Sequence, residues 1–96
     1  MATGAPDLGR FLVEWYGRRA SVGAMGEAAG RLSDGAASIT AQGTEIRLLM
    51  ALAVPTDDYA FGIFAAESAD TVAQVCAVAG APADRISLAV GWPPRA

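Results

Sequence analysis

The chain has 96 residues, of which 53% are hydrophobic and only 18% charged, with a formal net charge of −3. That size means one domain with a real but small core, and that composition excludes a disordered chain. All seven basic residues are Arg and no basic stripe interrupts the acidic balance, which argues against a phosphate-backbone partner such as nucleic acid.

Met1 to Gly9 contains Gly4, Pro6 and Gly9 and reads as a flexible N-terminal tail. It has no apolar core of the kind a signal peptide carries, and Leu48 to Thr56 is far short of the ~20 residues a membrane helix needs. The expected partner list therefore has no membrane, and the expected compartment is the cytoplasm. Residues 10–92 are expected to form the folded domain, and 93–96 a C-terminal tail.

Arg10 to Tyr16 is β-branched and aromatic with no internal Gly or Pro, so it predicts a strand. Alternation puts Phe11, Val13 and Trp15 on one face and Leu12, Glu14 and Tyr16 on the other. Large apolar groups on both faces predict a central strand that is covered twice. Gly17-Arg18-Arg19 is a connection and Ser21 an N-cap. Val22, Met25, Ala29, Leu32, Ala36 and Ile39 then recur at steps of three and four, the stripe of one helix. Its internal glycines each cost ~1 kcal/mol relative to Ala, so packing must hold it, and they are expected to let it approach a sheet closely. Gly43 terminates it.

Glu45 to Val54 alternates again. The expected division is Ile46, Leu48, Met50, Leu52 and Val54 against Arg47, Leu49, Ala51 and Ala53. Pro55 to Asp58 is a turn cluster, and Tyr59 to Ala66 completes a hairpin, with Tyr59, Phe61 and Ile63 opposite Ala60, Gly62 and Phe64. Ser68 caps a second helix whose stripe is Val72, Val75, Cys76 and Ala79, with Gly80 and Pro82 ending it. Arg85 to Val90 is the last strand, Ile86, Leu88 and Val90 opposite Arg85, Ser87 and Ala89. The order strand, helix, strand, strand, helix, strand is that of an α+β, ferredoxin-like βαββαβ sandwich. Right-handed crossovers place both helices on one face of a four-stranded antiparallel sheet.

Three stretches, Phe11-Leu12-Val13-Glu14-Trp15-Tyr16, the Val54-Pro55 bend, and Gly80-Ala81-Pro82-Ala83-Asp84-Arg85-Ile86, together resemble a family of small bacterial domains of unknown function, some members of which are labelled nickel-binding. The resemblance runs from about Arg10 to Val90. It implies a ferredoxin-like fold and the pairing of two sheets into a dimeric α/β barrel. Nickel favours imidazole nitrogen or thiolate sulfur. This chain has no His, and its one Cys lies on an apolar helix stripe. No metal ligand and no cofactor is therefore assigned.

With the more apolar sets of the outer strands turned to the helices, the open sheet face carries Glu14, Tyr16, Arg47, Arg85 and Ser87. Leu12, Leu49, Ala51 and Ala89 surround them. One carboxylate and two guanidinium groups on an apolar sheet suit an anionic or polar small molecule in a half-closed cleft. The same pattern fits a homodimer contact in which Glu14 pairs with an arginine, Arg85 first and Arg47 second. Met25, Met50 and the aromatic residues are expected in the core. Cys76 is expected to be a small core residue, and the serines near helix ends to be caps.

Two function classes follow. One is a non-catalytic dimeric α/β barrel that binds a small ligand or serves as an interaction module. The other is a cofactor-independent monooxygenase- or isomerase-like enzyme using the same cleft, an expectation by fold analogy. Glu14 could serve as a general base, but no nucleophile or paired acid accompanies it, so no catalytic residue is assigned.

Overall fold

The computed structural model describes residues 8–95. Strand β1 (Gly9–Tyr16) leads through a 3₁₀ turn (Gly17–Ala20) to helix α1 (Val22–Ala41). Strands β2 (Ile46–Val54) and β3 (Tyr59–Ala66) form the hairpin, joined by a 3₁₀ turn at Pro55–Asp57. Helix α2 (Ala69–Val78) and strand β4 (Arg85–Ala89) complete the order. The strands form one sheet in the order β2-β3-β1-β4, every pair antiparallel. This is the ferredoxin-like α+β arrangement, with β1 interior as its two-faced composition demands. The expected tail over 1–9 lies outside the described residues except for Leu8 and Gly9, and Gly9 already pairs with Ala66 as the first residue of β1.

The caps are where small polar residues make them cheapest. The Ser21 hydroxyl accepts from the Ala24 N–H at 3.1 Å, and Ser68 accepts from the Thr71 N–H at 3.3 Å. Gly43 and Gly80 follow the helices with φ of 111° and 74°, values that exclude most side chains.

Both helices cover the same sheet face. Phe11, Val13 and Trp15 of β1 and Ala60, Phe64 and Ala66 of β3 share one buried cluster with Met25, Ala28, Leu32 and Ala36 of α1 and Val72, Val75 and Cys76 of α2. The α1 stripe keeps Met25, Leu32 and Ala36 buried and Ile39 partly so, as the sequence pattern has them, but Ala28 is buried where the half-buried Ala29 was expected, and Val22 is exposed. The α1 glycines do not bring it onto the sheet. A Cβ at Gly23, Gly26 or Gly30 would meet nothing within 4 Å, while one at Gly35 would touch the Val75 side chain of α2 at 3.4 Å. Gly35 therefore serves the contact between helices.

One irregularity reshapes the other face. Leu48 pairs with Phe64 but Met50 pairs with Ile63, so Leu49 is an extra residue, a β-bulge. Because the side-chain period of a strand is two, one extra residue exchanges the faces of everything beyond it. Ile46 and Leu48 point to the helices as expected. Past the bulge, Ala51 and Ala53 join the core side opposite Gly62 and Ala60, and Met50, Leu52 and Val54 turn to the open face opposite Ile63, Phe61 and Tyr59. Met50, placed in the core by the sequence pattern, is 50% exposed. Ala51 likewise leaves the set expected around the open face.

Candidate functional site

The open face of β1 is built around Glu14. Its cross-strand partners are Phe61 on β3 and Arg85 on β4. Arg85 Nε lies 3.7 Å from Glu14 Oε2, and the Tyr59 hydroxyl donates to Glu14 Oε1 at 3.0 Å. The Glu14 side chain is only 14% exposed although no helix covers this side of the sheet, whereas Arg85 at the β4 edge is 67% exposed. Tyr59 stacks on Tyr16 with ring centroids 5.9 Å apart, and on its other side meets Phe61 at 5.9 Å. Tyr59 and Phe61 thus set aromatic surface beside the carboxylate.

The Tyr59 phenol is held above its ordinary pKa, first by partial burial, then by its hydrogen bond and proximity to the Glu14 carboxylate, with Arg85 opposing. It therefore stays a proton donor across the neutral range. The cluster can offer a ligand one carboxylate, one guanidinium and aromatic surface.

Of the five residues singled out from the sequence, Glu14, Tyr16 and Arg85 are brought together. Ser87 stands on the same face, one step away, opposite Leu12. Arg47 does not join them within one chain: it is on β2 opposite Ala65, at the other edge of the sheet and nearer the other end. Tyr59 is the member that sequence reasoning missed. The signal was the hairpin, because pairing Tyr59 to Ala66 against Gly9 to Tyr16 sets Tyr59 against Tyr16, on the Glu14 face.

The Gly80 to Ile86 stretch positions this face. The buried Trp15 Nε1–H donates to the Ala81 carbonyl at 2.9 Å, fixing the loop after α2 to the core. The Asp84 N–H donates to the Glu14 carbonyl at 2.9 Å, and the Asp84 carboxylate accepts from the Tyr16 N–H at 2.8 Å. β4 stops short of Tyr16, so Asp84 supplies the acceptor that the ladder no longer gives. Arg19 closes the loop at 3.5 Å from Asp84. Cys76 is buried, and desolvation pushes its thiol up to about 11, so it packs as an apolar group rather than acting as a nucleophile.

At the other end of the open face runs a groove of about 830 Å³, bordered by Arg10, Met50, Ile63 and Trp92. No helix of the described residues is long and apolar enough to cross a membrane.

No protein family profile matches the chain, and no curated protein does. Among solved structures, the chain is similar to SCO4226 from Streptomyces coelicolor A3(2), a small bacterial protein, with a TM-score of 0.63 and 19% identity over 91% of this chain and 99% of that one. At that identity the likeness establishes the shared fold.

Proposed function

We propose that this protein is a non-catalytic homodimeric module whose second copy covers the open sheet face, leaving a cleft for a small molecule. The observation that carries the reading is the state of that face. Met50, Leu52 and Tyr16 are about half exposed there, a continuous apolar surface of a kind that marks interaction sites. A largely buried, partnered carboxylate lies in the middle of it. The bulge at Leu49 supports it further, since it directs large apolar side chains outward that a regular strand would have buried. The resemblance of the β1, Val54-Pro55 and Gly80 to Ile86 stretches to small bacterial domains expected to pair into barrels points the same way.

Light scattering at micromolar concentration tests the reading directly. A dimer mass is expected. A monomer mass across that range overturns it.

A further inference from the structure

The register of the sheet sets up a second feature on the open face, away from Glu14. Ala65 of β3 is paired with Arg10 of β1 on one side and with Arg47 of β2 on the other. Directly paired residues point to the same face, and neighbouring strands are ~4.8 Å apart, so two guanidinium-bearing residues flank one small residue at ~10 Å from Cα to Cα. Ala65 is fully buried on a face that no helix covers. Neither arginine has an acidic group within ion-pair distance among the described residues, in contrast to Arg85 and Arg19.

In the next row along the sheet Met50, Ile63 and Leu12 are apolar, and Ser87 follows at the β4 edge. Arg10, Met50 and Ile63 border the 830 Å³ groove, and its far wall comes from the segment after β4, where Val90 and Trp92 are 73% and 83% exposed. The volume is within the range of small-molecule sites. Apart from Arg10, the side chains that border it are apolar, so the groove offers a single cation between apolar walls.

We propose that this groove binds an apolar carboxylate, a molecule with a hydrocarbon body and one anionic head. The head pairs with Arg10, and the body lies over Met50 and Ile63 against Trp92. Guanidinium groups are the side chains best suited to a carboxylate, through paired N–H donors. The inference rests on the reading that the open face takes a small molecule, and it specifies the chemistry of that molecule.

The test is calorimetric titration of the full chain with decanoate below its micelle-forming concentration, with decanol and decyltrimethylammonium as neutral and cationic counterparts. Tryptophan emission is followed in parallel, with Trp92→Phe to assign the signal and Trp15 as the buried background. Saturable binding of decanoate is expected, at least tenfold tighter than of either counterpart. The affinity should fall at least tenfold in Arg10→Gln. The emission change should vanish in Trp92→Phe. Equal binding of decanoate and decanol, or an unchanged affinity in Arg10→Gln, overturns the carboxylate assignment while leaving the open face as a binding surface. No saturable binding of any of the three probes overturns the site itself. Light scattering on the same samples reports whether the dimer stands independently of the ligand.

Discussion

The Tyr59 hydroxyl hydrogen-bonds Glu14 Oε1 at 3.0 Å across a diagonal of the β1–β3 ladder. Glu14 also faces Arg85, but that arginine is 67% exposed, and such rim pairs contribute at most about 1 kcal/mol. In an isolated protomer Glu14→Ala should therefore cost no more than about 1 kcal/mol. If a second copy covers the face, removing the carboxylate leaves Arg85 unpaired in a desolvated site, and the loss rises to about 3–5 kcal/mol, with a weaker dimer. Glu14→Gln, which keeps the shape and the acceptor for Tyr59, should be milder. Thermal melts with light scattering on the two variants separate the cases, and an unchanged melt and mass in Glu14→Ala would place Glu14 outside any interface.

Leu52→Glu tests the bulge. With Leu52 on the open face and 47% exposed, the substitution should change protomer stability by no more than about 0.5 kcal/mol while shifting the mass from dimer to monomer. Were Leu52 on the helix face, as uninterrupted alternation requires, a buried unpaired charge would unfold the domain. Circular dichroism and light scattering distinguish the two results.

The Trp15 indole, fully buried, fills the space beside Gly62 and anchors Ala81. Trp15→Phe removes volume and leaves the Ala81 carbonyl without its donor, an expected cost of about 2–4 kcal/mol. A Cβ at Gly62 would come within 3.3 Å of two Trp15 ring atoms, so Gly62→Ala should cost about 1–3 kcal/mol through overpacking. The double variant should recover part of that second loss, because phenylalanine vacates the contact. Urea midpoints of the four proteins check the coupling, and strict additivity would separate the two residues.

Stability should fall on the alkaline side. Cys76 has its pKa raised from 9.0 to about 11 in the folded chain. Below pH 9 the thiol is protonated in both states. Above it the unfolded chain loses the proton first, so stability declines as pH rises to about 11, by about 2–3 kcal/mol in all. Tyr59, raised above 10.0, adds to the decline from pH 10 upward. Cys76→Ala should flatten the pH 9–11 segment, and Tyr59→Phe should remove the late-ionising phenol from an absorbance titration at alkaline pH. A stability curve flat from pH 9 to 11 in the parent protein would contradict the assignment of Cys76.

The element order, the caps at Ser21 and Ser68, the glycine stops and the helix-facing set of β1 were all legible in the sequence, because each follows from local chemistry. Period-two and period-3.6 patterns, small polar side chains at helix starts and positive φ at glycine act within a few residues of one another. The pairing of Glu14 with Arg85 was within reach too, since the fold makes the first and last strands neighbours. The tertiary structure alone decided what β2 presents on the open face beyond Leu48. Nothing local marks Leu49 as the extra residue. The bulge leaves Ile46 and Leu48 on the core opposite Ala66 and Phe64 and sends Met50, Leu52 and Val54 outward. The same pairing brings Tyr59 to Glu14 and sets Arg10 and Arg47 on either side of Ala65, contacts between residues dozens of positions apart that only a folded sheet can make.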